Sequence, residues 1–473
     1  MTSTVSVNTG DLRVLTLFGV LACGVFAATS AVIGPVEGLA AGCAVLVPML
    51  ILHGFVAPGP WIFLALIFKP VIDLAWRWDA FQIGTQRVNL QAIVALLLIA
   101  LAVPALLIHV KRAVIIPPVV LLGLVGGLSV LLTPSVGAFD ELLRLYAGLA
   151  LAIVAPIALR NQHDVDRFAK WLIAATSIPV VLSYLQLAGI LPYEYWDWTD
   201  RGELERVSGT YQHPLGLIYF LVVAIPLALM LIRRPTQTIW FRLFAFGFLA
   251  AALGVLPFTY HRAGMIAVAA EILLWFLLTR QYRKAVVVVV AGLLIALALQ
   301  DWVSLLYGEI AHLSGSITSD SLRGRGANWY VFTSAFVEGN PLNWTIGFGE
   351  SLATGEVPGV GHYTSDEAHT DFLRIPYVYG VAGFVLYAAI VLLFLRAAIS
   401  LYRSRKEPYR TLGAAVLPIL AAVLILSITS EPMRYPTPAW YFFSLGALVM
   451  TKDRERRTVS VERPRHGVGA HGR

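Results

Sequence analysis

The chain reads as an all-α, polytopic transmembrane helical bundle with one long, partly helical extracytoplasmic loop. Three observations lead there. Of its 473 residues 58% are hydrophobic and only 13% charged, with mean hydropathy +0.75, whereas soluble domains carry about 25% charged residues. The apolar residues come in unbroken runs, not in the alternation that barrel strands need. Only helices or closed barrels satisfy backbone polar groups inside lipid, so unbroken runs mean helices.

A span needs about 20 apolar residues. Runs that meet or approach this lie near 14–33, 38–56, 60–76, 88–108, 113–133, 141–159, 171–189, 214–232, 240–258, 263–279, 285–300, 375–395, 411–429 and 438–450. They predict 12 to 14 spans. The run at 60–76 is the open one, because it contains Lys69, Pro70 and Asp73. Arg13 is the one basic residue before the first run and many spans follow, so that run is expected to be retained and not cleaved as a leader. Cys23 and Cys43 sit inside apolar runs and offer no ligand spacing.

Orientation follows from basic residues in short loops. Lys111 and Arg112, Arg160 to Lys170, Arg233 and Arg234, Arg280 to Lys284, Arg396 to Arg410 and the tail from Lys452 share one side if the runs alternate. That side, with both termini, is expected to be cytoplasmic. The net charge of +7 is therefore an orientation signal and does not suggest nucleic acid. The chain divides into N-terminal helices at 1–189, a membrane domain at 190–450 that includes the 301–374 loop, and a basic tail at 451–473. The tail is expected to be disordered and drawn to anionic lipid.

The same parity sends Arg206, His213, Arg262, Arg323, Arg325, His362, His369, Arg374 and Arg434 to the outer side or its boundary, against the usual charge bias. His213-Pro214 opens a helix, either as an interfacial cap or as part of a site. The aromatic cluster Tyr193, Tyr195, Trp196 and Trp198 reads as a headgroup belt or a sugar-stacking surface. Arg262 starts a helix after a tight turn, where a guanidinium suits a diphosphate because its fork makes two charge-assisted bonds. A snorkelling arginine would occupy the same place. Glu271 falls near mid-span, as a functional carboxylate or half of a structural ion pair. Arg325 and Trp329 stand four apart and so share a helical face. His369, beside Asp371 at the membrane boundary, is the candidate general base, since an imidazole titrates near neutral pH.

Taken in order, these elements resemble the bacterial O-antigen ligases and the related O-antigen and exopolysaccharide polymerases. That family's pattern is an Arg, Gly-Thr-aromatic, then His-Pro-Asn at a helix start, a Ser-Arg-x-Gly turn, and a long periplasmic loop. The loop carries Arg with Trp four residues on, a Pro-Leu-x-Gly-x-Gly element, and His-Asn before a Gly-rich helix start. Here Arg206, Gly209-Thr210-Tyr211, His213-Pro214, Arg262-Ala263-Gly264, Arg325, Trp329, Pro341-Leu342, Gly347, Gly349, His369, Gly380 and Gly383 match, across roughly 200–395. Leu215 replaces the usual Asn, His261 the Ser and Thr370 the second Asn, and the Pro-Leu element has two extra residues.

The resemblance implies a metal-independent glycosyltransferase without a cofactor in a bacterial inner membrane. It would move a glycan from an undecaprenyl-diphosphate carrier to an acceptor hydroxyl on a glycan or lipid. Arg206, Arg262 and Arg325 would clamp the diphosphate, with His213 and Arg323 also binding substrate, and His369 would act as base. Membrane lipid and other envelope-biosynthesis proteins are the further expected partners. Ligase and polymerase are not separated by these residues, although the departures tilt toward polymerase. The rival from another class is a transporter or flippase of a lipid-linked sugar or small solute. It is disfavoured because no repeated halves are visible and the cations gather on one face.

Overall fold

A computed structural model describes residues 58–75, 79–83, 86–108, 117–192, 194–196, 204–211, 213–287, 289–290 and 325–461. The runs at 14–33 and 38–56, most of that at 285–300, and Arg323 lie outside the described residues. The helices are α1 (Pro58–Ile72), α2 (Leu90–Ile108), α3 (Pro117–Leu132), α4 (Val136–Ala158), α5 (Gln162–Leu187), α6 (Pro214–Ile232) and α7 (Ile239–Val255). Then follow α8 (Arg262–Leu278), α9 (Arg325–Glu338), α10 (Pro341–Ile346), α11 (Asp371–Tyr402), α12 (Tyr409–Thr429) and α13 (Pro436–Val461). Three two-stranded antiparallel pairs complete the described chain: β1 (Asp79–Ile83) with β2 (Gln86–Asn89), β3 (Glu194–Trp196) with β4 (Leu204–Arg206), and β5 (Ala353–Val357) with β6 (Gly361–Ser365).

The molecule is an all-α, polytopic membrane protein. Among the described residues six helices, α4, α5, α6, α7 extended to Thr259, α11 and α12, are long and apolar enough to cross a bilayer, and three shorter apolar helices lie within α1, α2 and α3. Nearly every residue of α6 is buried, so it forms the axis of the bundle. By contrast, α7 exposes Ile239, Trp240, Leu243, Phe244 and Phe246, an apolar outer face suited to lipid. Around α6 pack α5, α7, α8, α12 and α13, and α11 joins through α12, α3 and α13.

The ambiguous run at 60–76 becomes the short α1, whose charges are compensated inside the protein. Lys69 pairs with Asp73, which also accepts from Thr437. The ammonium lies 4.6 Å from the Trp440 ring centre, a cation–π contact. Polar groups at this depth persist only when paired in this way.

The expected disordered tail needs correction at its start. Helix α13 continues through the membrane-edge sequence to Val461. Its last turns are held by Lys452–Glu455 (2.9 Å), Arg456–Asp453 (2.9 Å) and Arg457–Asp453 (2.6 Å), the i,i+3 and i,i+4 pairs that support helices. Ser400 on α11 donates to Asp453 as well.

The described part of the 301–374 loop carries a hairpin as well as helix. Its Pro358-Gly359 turn closes the β5–β6 hairpin, in register from Ala353↔Ser365 to Val357↔Gly361. The hairpin packs on α9 and is tied to it by Tyr363 Oη donating to Asn328 (2.7 Å). Helix α11 breaks at Gly380 (φ 67°), and this frees two carbonyls. Tyr377 and Val378 oxygens accept from the Phe348 (2.8 Å) and Gly349 (3.0 Å) amides. A Cβ at Gly380 or Gly347 would strike the facing backbone, so these two glycines permit the loop to dock.

Candidate active site

The first motif is positioned by backbone straps. Arg206 ends β4 and is buried, and its Nε donates to the Thr259 carbonyl (3.0 Å). The Val207 amide reaches the Phe258 carbonyl (3.0 Å). Gln186, at the end of α5, accepts from the Ser208 (3.2 Å) and Gly209 (2.9 Å) amides. Arg206 is thereby fastened to the turn before Arg262, although 56 residues separate the two in sequence.

Four other functional candidates fall at or beside the first described residues of helices. His213 is the N-cap of α6 and accepts from the Leu215 amide through Nδ1 (2.9 Å). His261 caps α8 in the same manner through the Gly264 amide (3.0 Å), and Arg262 is the first residue of that helix. Arg325 is the first described residue of α9. His369 immediately precedes Thr370, the N-cap of α11. Helix N-termini carry unsatisfied amides and a partial positive charge, so these ends favour an anion.

These side chains share one electrostatic environment. Burial pushes the His213 pKa down to about 3, and the charge of Arg206 and His369 adds to the effect. His261 also falls to about 3, through burial and then His213, Arg206 and Arg325. Its ring stands edge-on to His213 with centres 6.4 Å apart. His369 is lowered to about 4 by burial, then by Arg325 and Arg434. Arg206, His213, His261, Arg325 and His369 are thus linked electrostatically, and Arg262 follows His261 directly at the start of α8.

The three histidines are neutral near pH 7 but not equivalent. An Nδ1 that accepts an amide hydrogen must carry its lone pair, which puts the proton on Nε2. His213 and His261 are capped in this form, so each offers an Nε2–H donor and neither can take a proton there while capping. Only His369 among them makes no such cap.

Two expected neighbours turn elsewhere. Asp371 does not face His369. It accepts from Ser427 Oγ (2.9 Å) and the Met433 amide (3.2 Å) inside the bundle. Arg374 is buried in α11 and pairs with Glu141 of α4, which also accepts from Ser351 (3.2 Å). Glu271 is fully buried and neither carboxylate oxygen has a partner among the described residues, so the alternative of a structural ion pair is not seen.

The carboxylate that does approach His369 is Glu367, with Oε2 3.4 Å from Nδ1. Glu367 is held by Arg434 (3.3 Å), which also binds Asp366 (2.8 Å) and Glu431 (3.4 Å). Burial pushes Glu431 up to about 7, against the pull of Arg374 and Arg434. Sequence reasoning passed over His261, Glu367 and Arg434 as site neighbours. For His261 a signal existed, its place directly before Arg262; for Arg434 none did. Among the described residues no group of His, Cys, Asp or Glu is arranged as a metal site.

Fold and site together give a multi-pass helical membrane protein in which His213, Arg262, Arg325 and His369 lie at or beside the first described residues of helices. Residues 246–388 match the family model described as O-antigen ligase. That segment contains Arg262, Arg325 and His369, and its match supports the family resemblance read from the motifs and, with the apolar helices, a membrane enzyme that processes glycans. A comparison with curated proteins finds no match.

Proposed function

We propose that this chain moves a glycan from an undecaprenyl-diphosphate carrier to an acceptor hydroxyl at the outer face of a bacterial inner membrane. The reading is supported by one observation: His213 and His261 cap neighbouring helix starts with their rings 6.4 Å apart, and Arg206, Arg325 and His369 act electrostatically on this pair. Arg206, Arg262 and Arg325 grip the diphosphate, and the neutral Nε2–H of His213 adds a donor. His369 Nε2 takes the proton of the acceptor hydroxyl as its oxygen bonds to the anomeric carbon. The bond from that carbon to the phosphate oxygen breaks, and the diphosphate leaves with the electron pair. Fixed guanidiniums stabilise that charge with no reorganisation in the transition state, so no metal is required for the step. A positioned base of this kind contributes about 10²–10⁴-fold.

The test uses purified protein in lipid nanodiscs with a defined lipid-diphosphate glycan donor and candidate acceptors, with and without chelator. Transfer that survives chelation and is lost in His369→Ala and Arg325→Ala is the expected outcome. Full activity in both variants would remove these residues from the reaction. Joining of repeat units, as against capping of a lipid acceptor, separates polymerase from ligase.

A further inference from the structure

We infer that Glu367, anchored by Arg434, is a positioning residue that holds the His369 imidazole in its proton-accepting tautomer. The inference rests on the proposed role of His369.

The turn that carries His369 is strained and heavily clamped. His369 has φ 55°, a left-handed conformation that a non-glycine residue keeps only when its surroundings enforce it. The enforcement is visible on both sides. Thr370 Oγ1 donates to the Ser427 carbonyl (2.8 Å), Ala368 is fully buried and its amide binds Glu431, and Ser365 Oγ bonds the Glu367 carbonyl (3.1 Å). Arg434 spans the turn and the 430–435 segment by reaching Asp366, Glu367 and Glu431 at once.

His369 Nδ1 lies 3.4 Å from Glu367 Oε2. An acceptor-only carboxylate opposite Nδ1 selects the Nδ1–H form and leaves the lone pair on Nε2. This is the reverse of His213 and His261, whose Nδ1 atoms accept from backbone. When Nε2 takes the acceptor proton, the imidazolium forms beside the Glu367 carboxylate. The pair lies within ion-pair distance without forming a hydrogen bond, and catalytic contacts commonly align only when substrate binds. Burial pushes the Glu367 carboxyl up, Arg434 pulls it back toward the carboxylate, and the same guanidinium lies 3.3 Å from Oε1, so the orienting group is itself oriented. Asp371, two residues from His369, is engaged by Ser427 and Met433 and does not compete.

The experiment measures kcat and donor KM for Glu367→Gln and Glu367→Asp, each also built on His369→Ala. Glu367→Gln keeps shape and loses the charge, and kcat is expected to fall about 10-fold with donor KM unchanged, a fraction of what a general base supplies. Glu367→Asp should fall between. On the residual rate of His369→Ala, Glu367→Gln should cost nothing more, because a residue that acts through His369 has nothing left to act on. A folded Glu367→Gln enzyme with full kcat overturns the inference, as does an equal loss in the His369→Ala background. If Glu367→Gln does not accumulate as folded protein, the same two readouts on Glu367→Asp decide. A fully active His369→Ala enzyme would sink the proposed function itself, whereas an inactive one beside an unaffected Glu367→Gln would sink this inference alone.

Discussion

Lowering the pH from about 7.5 to about 5.5 should leave kcat/KM for glycan transfer almost unchanged. An ordinary histidine base, with a pKa of about 6.5, would lose its neutral form about 10-fold over that interval. His369 is held at about 4, chiefly by burial and then by Arg325 and Arg434. At that pKa the neutral form drops by only about 3%, and the acid limb moves to near pH 4. The donor diphosphate brings negative charge to the same mouth, which favours the imidazolium. The limb seen in kcat, which reports the substrate complex, should therefore lie at higher pH than the limb seen in kcat/KM. The fold loses some stability over the same interval. Histidines with depressed pKa values leave the unfolded chain binding protons first as pH falls below about 6.5, so rates must be normalised to folded protein. Initial-rate assays with defined donor at subsaturating and saturating concentrations give both profiles. A tenfold fall in kcat/KM with the enzyme still folded would refute the reasoning about this site.

Three further outcomes test the scaffold. Arg374→Met should destabilise the protein by about 3–5 kcal/mol by stranding buried Glu141, while Arg374→Met with Glu141→Leu recovers most of it; thermal unfolding in detergent that shows additive losses would count against the pair. Gly380→Ala should lower the melting temperature and loosen the outer loop to limited proteolysis, since its φ of 67° and the facing Thr345 backbone leave no room for a methyl. Glu271→Leu should raise stability by about 1–3 kcal/mol, because it removes a fully buried carboxyl with no partner among the described residues. A stable but inactive Glu271→Leu enzyme would show that this carboxyl serves the reaction.

Much of the molecule was determined by sequence alone, for a local reason. Lipid offers the backbone no hydrogen bonds, so long apolar runs must be helices whatever they pack against. Helix starts were legible in the same way, because His213-Pro214 and the turn before Arg262 supply N-terminal chemistry within a few residues. The candidate cations and the candidate base could be named because Arg and His recur at the spacings of the motifs that carry the resemblance.

What only the tertiary structure decided is direction and company. Asp371 stands two residues from His369 and still points into the bundle, because a left-handed residue before a helix start turns the chain between them. Arg374, read with the outer cations, becomes a buried strut to Glu141, 233 residues away. Lys452 to Val461, polar enough to read as a loose tail, is helical because α13 is already nucleated and the charges pair along it. Arg434 met Glu367 across a gap of 67 positions, and no spacing rule reaches that far. Sequence carries the periodicity that makes elements; which side chains face each other is set by how those elements pack, and that is where the site is made.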